Sequence, residues 1–339
     1  DRIDHTDVAI QGIENKNRGL RLSGCDAPLK YPNRAHKKTR QQTQINHKTL
    51  SKSQPSVNAD SGPRMPAPTP TPPPTKLSLK NLTLEVAHWQ PNQTISPAHT
   101  LVFLHEGLGS VAMWRDWPAR LCQRLGCAGL VYSRQGYGQS DPVANVRGPS
   151  GETAGLRHGR LLPDYMHREA LEVLPALLEA LNIQRPVLVG HSDGGTIALI
   201  HASRFEVAAC VVMAPHVMVE DISIQAILAA RQAYEHGPLR QRLTPYHADV
   251  DSAFWQWNDV WLSEAFRDFD IRPELGSIRA PLLAIQGEND PYGTMAQIDE
   301  IARTVPQAQL LKLPDCGHSP HRDQPEAVMQ ALQTFIRDL

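Results

Sequence analysis

A serine flanked by glycines stands where an apolar, strand-like run gives way to a helix-like segment. The motif is Gly190-His191-Ser192-Asp193-Gly194-Gly195, and it directly follows Pro186-Val187-Leu188-Val189. A serine in this context lies on a sharp strand-to-helix turn, with its hydroxyl exposed at the carboxyl end of the strand. The turn brings the backbone on either side close together, so only small residues fit at Gly190 and Gly194. Ser192 is therefore a candidate nucleophile, although a GxSxG string alone is a weak signal.

A histidine and a carboxylate that can activate this serine follow two later strand-like runs. A serine hydroxyl is a poor nucleophile at neutral pH and needs a base, which a carboxylate must orient. His318 follows the apolar run at 309–313, and Asp290 follows the run at 282–285. The carboxyl ends of parallel strands meet at one edge of a sheet. We therefore expect the loops that carry Ser192, Asp290 and His318 to converge.

Two neighbouring residues compete for these roles. His321 lies just after His318 and is the alternative base, while Glu288 lies just before Asp290 and is the alternative carboxylate. A histidine near a loop is weak evidence by itself, since the chain contains 15 histidines. We favour His318 and Asp290 because each stands at the loop position that a site at the strand ends requires.

Acyl chemistry also requires backbone N–H groups that already point at the developing oxyanion. Asp193 is expected to supply one, because it follows the nucleophile and lies at a helix N-terminus. The second is expected from the loop His105-Glu106-Gly107-Leu108-Gly109-Ser110, which follows a strand-like run at 100–104. Gly107 is the first choice of donor and Leu108 the second. The alternative is that this glycine-rich run is a plain connection.

The elements that must position these residues alternate between strand and helix patterns from Lys76 onward. Apolar runs predict strands at 77–89, 100–104, 128–132, 186–189, 207–213, 282–285 and 309–313. Helical patterns occupy 113–125, 163–181, 194–205 and 325–336, with Pro163 suited to a first helical turn. Alternation of this kind predicts a mostly parallel sheet with helices on both faces.

One segment, at about 216–272, contains helical patterns and no clear strand. Large aromatic residues crowd into it: Phe254, Trp255, Trp257, Trp261 and Phe266. We interpret it as a helical insertion placed over one end of the sheet. Its tryptophans either line an apolar pocket or pack the core of the insertion, since large aromatics usually serve burial first. Tyr246, His247 and Trp257 are candidate substrate contacts on this basis.

The run from about 77 to 339 resembles the α/β-hydrolase superfamily. Ser133-Arg134-Gln135-Gly136-Tyr137-Gly138-Gln139-Ser140 is similar to the family's Asp-x-Arg-Gly-x-Gly-x-Ser loop, with Ser133 in the place of Asp. His105-Glu106-Gly107 resembles the family's His-Gly pair, with Glu106 where the first glycine often stands. Gly317-His318-Ser319-Pro320 is similar to loops of meta-cleavage-product C–C hydrolases and enol-lactonases. The resemblance implies an α/β-hydrolase fold with a helical cap over the site, and a branch that also includes carboxylesterases.

The chemistry that these residues imply is serine-dependent cleavage of an ester, lactone or related acyl bond of a small molecule. No metal or organic cofactor is expected. Ser192, His318 and Asp290 would also serve to hydrolyse a C–C bond in ring-fission products. A cofactor-free perhydrolase or haloperoxidase is a weaker alternative. A ligand receptor of this fold with little turnover is the alternative from another class, and measured turnover discriminates it. A serine rather than an aspartate at the nucleophile position disfavours haloalkane dehalogenases and epoxide hydrolases.

Residues 1–75 have a different character from the rest of the chain. They carry 12 Lys and Arg against 6 Asp and Glu, and they end in the run Pro66-Ala67-Pro68-Thr69-Pro70-Thr71-Pro72-Pro73-Pro74. Too little apolar surface is present to offset the entropy of ordering, so we predict a disordered, basic and proline-rich tail. An arm for an anionic partner is the less favoured reading. The change near Met65 also suggests Met65 as the native start.

Charge, hydropathy and cysteine content indicate which partners and which cellular location to expect. The net charge of −1 gives no case for a nucleic-acid partner, and no apolar run reaches the about 18 residues typical of a membrane-spanning helix. The five cysteines are odd in number and form no CxxC pair, which argues against a disulfide framework or a structural zinc site. Cys127 and Cys210 fit buried positions beside strands. We expect a cytoplasmic protein without membrane partners, and the sequence leaves a homo-oligomer open.

Overall fold

An eight-stranded sheet runs through the part of the chain that the computed structural model describes, which is residues 73–90, 99–154, 156–337 and 339. The strands in these ranges are β1 (Thr75–Leu79), β2 (Leu82–Trp89), β3 (Thr100–Leu104), β4 (Ala128–Ser133), β5 (Gly151–Thr153), β6 (Leu156–His158), β7 (Val187–His191), β8 (Ala209–Met213), β9 (Leu282–Gly287) and β10 (Ala308–Leu313). The large sheet has the order β1-β2-β4-β3-β7-β8-β9-β10, and β5 pairs with β6 in a separate antiparallel hairpin. β1 and β2 run antiparallel to their neighbours, and the strands from β4 to β10 in the sheet order are parallel.

Helices connect the strands. They are α1 (Trp117–Leu125), α2 (Tyr165–Arg168), α3 (Leu174–Ala180), α4 (Asp193–Ala202), α5 (Asp221–His236), α6 (Leu239–Leu243), α7 (Val250–Trp261), α8 (Arg272–Leu275), α9 (Ala296–Thr304), α10 (Pro320–Asp323) and α11 (Pro325–Arg337). A π-helical turn, Glu169–Val173, joins α2 to α3. α5 to α8 lie between β8 and β9 in the chain and form the helical insertion, whose ends meet in a bridge between Met218 and Asp270.

The central strands are apolar along their whole length because both faces of the sheet are covered. In β8, Cys210 and Val212 belong to one buried apolar cluster, and Val211 belongs to the cluster on the opposite face. α4 packs on the Cys210 face, and all of its residues are buried. α1 and α11 cover the other face with one apolar side each, as Leu121 and Leu332 illustrate.

The predicted mostly parallel sheet with helices on both faces is confirmed. Each predicted strand is present, and the run at 77–89 forms the β1–β2 hairpin. The helix expected at 113–125 is interrupted, because Arg115 adopts φ 54° between a short 3-10 turn and α1. The helix expected from Pro163 begins at Tyr165 instead. The β5–β6 hairpin was not predicted.

The predicted tail falls almost entirely on residues 1–72, which lie outside the described residues. Thr75, the last residue assigned to the tail, is the first residue of β1. The remainder of that prediction, including the start at Met65, is not tested. Cys127 and Cys210 are buried as expected, and Cys25 lies outside the described ranges. Within the described ranges, no helix combines the length and the apolar composition needed to cross a bilayer.

The connection from β7 to α4 is the tightest turn at the carboxyl edge of the sheet. A single residue, Ser192, separates the last residue of the strand from the first residue of the helix, and it adopts φ 53° and ψ −121°. A Cβ on Gly190 would overlap the carbonyl of Gly194, and a Cβ on Gly194 would overlap the carbonyl oxygen of Leu104. Both glycines are therefore required by close backbone approach, as the motif predicts.

The role of Gly194 can be tested by adding one methyl group. Gly194→Ala places a Cβ against rigid backbone, so we expect a loss of about 2 kcal/mol in the free energy of unfolding. The matched control is Gly276→Ala, because the nearest atom to a Cβ there is Thr304 Cγ2 at 3.7 Å. Urea unfolding of the two variants provides the comparison. Equal stability of the two variants would contradict the close approach.

Candidate active site

The structure brings Ser192, His318 and Asp290 together at the carboxyl edge of the sheet. Ser192 follows β7, Asp290 follows β9 and His318 follows β10. The Oγ atom of Ser192 lies 2.9 Å from Nε2 of His318, and Nδ1 of His318 lies 2.8 Å and 2.9 Å from the two carboxylate oxygens of Asp290. All three side chains are buried. The three sequence candidates therefore form one continuous hydrogen-bonded chain.

Asp290 is held in place by two further donors. The side-chain amide of Gln286 donates to Oδ2 at 2.7 Å, and the backbone N–H of Tyr292 donates to Oδ1 at 2.8 Å. With the carboxylate fixed, Nδ1–H of His318 donates to it, and the Nε2 lone pair faces the hydroxyl of Ser192. This tautomer is the one that can accept the serine proton.

The two rival residues lie elsewhere. Glu288 is exposed. His321 is buried, and its ring packs against Trp114 and Trp117, with ring centroids 5.0 Å and 5.4 Å away. Burial, together with the neighbouring His191, holds the pKa of His321 well below its usual range. Neither rival contacts Ser192 in this geometry.

Asp193 begins α4, so its backbone N–H belongs to the first turn of a helix and has no intrahelical acceptor. Its side chain turns away from Ser192. Oδ2 accepts a hydrogen bond from the hydroxyl of Tyr165 at 2.6 Å and lies 3.7 Å from the guanidinium of Arg134. Burial raises the pKa of Asp193 despite the nearby Arg134 charge.

A small cavity of about 40 Å³ adjoins Ser192. Its lining includes the predicted residues Ser192, His318, Asp193, Gly107, Leu108 and Trp257. The indole of Trp257, which belongs to α7, lies so close to Gly107 that a Cβ there would overlap it. The helical insertion therefore rests directly on the loop after β3.

The other two predicted substrate contacts do not line this cavity. Tyr246 is half-buried and packs against the apolar cluster of the insertion. His247 is buried, and it bridges two loops. Its Nδ1 accepts from the N–H of Gly138 at 3.0 Å, and its Nε2–H donates to the carbonyl of Leu108 at 3.0 Å. His247 thus connects the loop after β3 to the loop after β4 through hydrogen bonds.

Two residues that the sequence reasoning missed lie against His318. The ring of His216 stacks on it with centroids 5.7 Å apart, and the ring of Tyr292 lies 4.6 Å from it. Burial, with a smaller contribution from His318, lowers the pKa of His216 to about 3, so this ring is neutral. His216 follows β8 closely, and the same strand-end criterion that selected Ser192 would have identified it.

Glu106, the residue in the place of the family's glycine, is buried behind the site. Its carboxylate lies 3.5 Å from Nδ1 of His191 and 3.3 Å from the guanidinium of Arg322. Burial opposes its charge, but the contact with His191 and the charge of Arg322 hold the pKa of Glu106 well below its usual range. His191 in turn donates its Nε2–H to the carbonyl of His318 at 2.7 Å.

In the described ranges, no group of three or more acidic, cysteine or histidine side chains is arranged to hold a metal ion.

This sheet, with a serine on the strand-to-helix turn, defines an α/β-fold hydrolase. A model of the alpha/beta hydrolase family matches residues 101–331, and the chain belongs to that family. The sn-1-specific diacylglycerol lipase ABHD11 of Mus musculus is 26% identical over 265 residues, which cover 70% of this chain and 80% of the lipase.

Two solved structures share the fold. The proline iminopeptidase of Mycobacterium smegmatis matches with a TM-score of 0.62 and 17% identity, over 78% of this chain and 98% of that chain. The enol-lactonase from Burkholderia xenovorans LB400 matches with a TM-score of 0.58 and 18% identity, over 78% of this chain and 100% of that chain. The protein is thus a hydrolase of the α/β fold with lipase and esterase relatives.

The buried position of His247 generates a prediction about pH. Burial lowers its pKa from 6.5 to about 4. Between these values the unfolded chain binds a proton that the folded protein does not, so His247 makes stability fall as the pH decreases. His247→Gln keeps one acceptor and one donor but cannot titrate. From pH 7 to pH 5 we expect the variant to lose about 2 kcal/mol less than the wild type.

Urea unfolding at the two pH values measures this difference. Other buried histidines contribute to the acid sensitivity of both proteins, so the comparison concerns the difference in slope and not the absolute stability. Parallel losses in the variant and the wild type would show that His247 does not titrate in this range.

Proposed function

We propose that the protein is a serine hydrolase that cleaves a carboxylic ester or lactone of a small molecule. The observation that supports this most directly is the 2.9 Å contact between Ser192 Oγ and His318 Nε2, with Asp290 fixed behind the histidine. Acyl transfer requires a nucleophile, a base that contacts it and a carboxylate that orients the base. Ser192, His318 and Asp290 contact one another in this order. The lipase name of the mouse relative agrees with an acyl bond as the target.

The proposed reaction has two halves. Nε2 of His318 takes the hydroxyl proton as Ser192 Oγ attacks the carbonyl carbon, and the carbonyl π electrons move onto oxygen. The N–H of Asp193 and that of Gly107, or alternatively Leu108, stabilise this oxyanion. Its collapse breaks the bond to the leaving alkoxide, which takes the proton from His318. Water, deprotonated by His318, then attacks the acyl-serine, and the acid leaves as Ser192 regains its proton.

We propose that the helical insertion at about 216–272 is a cap over this site. Trp257 and Trp261 of α7 line the cavity beside Ser192, where they exclude water and limit the space for the acyl group. A cavity of about 40 Å³ is far smaller than typical small-molecule sites, which span roughly 300–1,000 Å³. The cap therefore has to shift when a substrate of ordinary size binds.

The alternatives from the sequence use the same three residues, so turnover must separate them. A panel of esters, lactones and ring-fission dienones, assayed with the wild type, distinguishes acyl cleavage from C–C cleavage. A receptor would bind one of these compounds with a kcat that is very low on every member of the panel.

Replacement of the nucleophile tests the proposal. Ser192→Ala should lower kcat for p-nitrophenyl butyrate by at least about a thousandfold, because the acyl-enzyme cannot form. The control is Ser203→Ala just after α4, whose hydroxyl donates to the carbonyl of Ile200 at 2.7 Å and should not affect kcat. A fluorophosphonate probe should label the wild type and Ser203→Ala but not Ser192→Ala. Activity retained by Ser192→Ala would remove the nucleophile from the proposal.

Trp257 generates a prediction about acyl size. Trp257→Ala removes an indole that lies on Gly107, so kcat/KM for p-nitrophenyl octanoate relative to acetate should rise by about tenfold. Trp255→Ala is the control in the same helix, because Trp255 packs against the guanidinium of Arg147 at 4.0 Å and does not line the cavity. The two variants are compared on both esters. An unchanged preference in Trp257→Ala would place the acyl group elsewhere.

A further inference from the structure

A second and much larger cavity lies on the side of the molecule where the chain turns from β1 to β2. Its volume is about 800 Å³, and its walls are the β1–β2 turn, the β5–β6 hairpin, and the helical segment from α2 to α3. None of Ser192, His318 and Asp290 lines it. A volume of this size lies in the range of small-molecule sites.

The π-helical turn Glu169–Val173 contributes one wall. Three of its residues line the cavity, namely Glu169, Glu172 and Val173, and so does Arg168 just before the turn. A π turn inserts an extra residue into a helix and occurs frequently at functional sites. Here it places the half-buried Glu169 in the lining, where it acts on the charges of Arg134 and Arg157, and leaves Arg168 at the outer rim.

The inner end is polar and rich in guanidinium groups. Arg134 is 5% exposed and Tyr137 is 3% exposed. Nε and Nη1 of Arg134 and the hydroxyl of Tyr137 have no hydrogen-bond partner among the described residues. Buried polar atoms in folded proteins are almost always paired, so this end is suited to a polar ligand group.

Arg157 adds a second guanidinium that has only neutral partners. It donates to Oε1 of Gln256 at 2.7 Å and to the carbonyl of Gly159 at 3.5 Å. In the described ranges, no carboxylate lies within 4.0 Å of its nitrogens. Burial lowers the pKa of Arg157 to about 10.

The acidic groups near these guanidinium groups already have hydrogen-bond or ion-pair partners within the protein. Glu169 accepts a hydrogen bond from the hydroxyl of Tyr132 at 2.7 Å, and burial raises its pKa. Asp193 accepts a hydrogen bond from Tyr165 and also lies 3.7 Å from Arg134, so it partly compensates the charge of Arg134. At the rim, Glu152 and Glu172 both pair with Arg168, at 3.1 Å and 3.3 Å. A ligand carboxylate at the inner end would therefore meet the guanidinium of Arg157, which has no carboxylate within 4.0 Å in the described ranges, and the unpaired Nε and Nη1 of Arg134.

The remainder of the lining combines an apolar wall with polar and charged residues, among them Lys80, Arg160, Asp164 and Glu179. The apolar wall is formed mainly by leucines. It includes Leu79, Leu82, Leu161, Leu162, Val173 and Ala176. The side chain of Leu162 is 50% exposed, which is unusual for a large apolar residue in this protein. A chain of methylene groups that covered these residues would remove apolar surface from water.

We propose that this cavity binds a carboxylate with a single acyl chain, with the carboxylate between Arg134 and Arg157 and the chain along the apolar wall. Arg recognises carboxylates through paired hydrogen bonds, and the apolar wall supplies the rest of the affinity. The site is separate from Ser192, and the proposal does not depend on the proposed function, although ester cleavage also releases a carboxylate. Tyr165 and Arg134 contact Asp193, so only one layer of side chains separates the two cavities.

Binding of dodecanoate, below its micelle concentration, tests the proposal by isothermal titration calorimetry. The titrations of the variants use the Ser192→Ala background, so that differences in hydrolytic activity cannot contribute to the heats. We expect dodecanoate to bind, dodecanol to bind at least about tenfold more weakly, and Arg157→Gln to weaken dodecanoate by about tenfold or more. Arg157→Lys keeps the charge but loses the paired hydrogen bonds, so its affinity should lie between those of the parent protein and Arg157→Gln. Arg168→Gln at the rim is the matched control and should change it less than twofold.

A second variant separates the cavity from its charges. Ala176→Trp fills the apolar wall and leaves both guanidinium groups in place, so it should abolish binding, while thermal melting verifies that each variant folds. Three results would overturn the proposal: no binding of dodecanoate, equal affinity for dodecanol, or binding unaffected by both Arg157→Gln and Ala176→Trp. In the wild type, loss of binding after fluorophosphonate labelling would also overturn it, because that would place dodecanoate beside Ser192.

Discussion

The close approach of β7, α4 and the end of β3 is the constraint on which the rest of the site depends. Only Ser192 separates strand from helix, and Gly194 lies against the carbonyl of Leu104 because no Cβ intervenes. β3 and β7 are direct neighbours in the sheet, so this contact also fixes where the loop after β3 begins. The position of Ser192 and that of the loop opposite it are therefore determined by one packing arrangement.

Buried histidines connect the loops around the candidate site through hydrogen bonds. His191 joins the β7–α4 turn to the loop of His318, and His247 joins the loop after β4 to the loop after β3. His105 donates to the carbonyl of Glu106 and accepts from the N–H of Arg134. Each ring uses both nitrogens, or one nitrogen and a carboxylate contact, to connect segments distant in sequence. Burial lowers the pKa of His105 and His247, and a neutral imidazole at these positions offers one donor and one acceptor at opposite sides of a rigid ring.

The sequence predicted the sheet and the positions of Ser192, Asp290 and His318 because their signals are local: an apolar run followed by a loop. His216 obeys the same rule and was missed because no motif surrounds it. The β5–β6 hairpin was missed because its strands have three residues each and include Glu152 and Arg157, without apolar alternation. The direction in which Tyr246 and His247 point depends on how the insertion packs on the sheet, which no local pattern specifies.

The contact between Trp257 and Gly107 has a consequence for how the insertion varies among relatives. Because the indole occupies the space that a side chain at position 107 would need, the two positions form a matched pair across separate parts of the chain. An insertion taken from another hydrolase would need a side chain of similar shape at the position of Trp257. Without it, the loop after β3 would lose its packing contact at Gly107. We therefore expect positions 107 and 257 to vary together among related sequences.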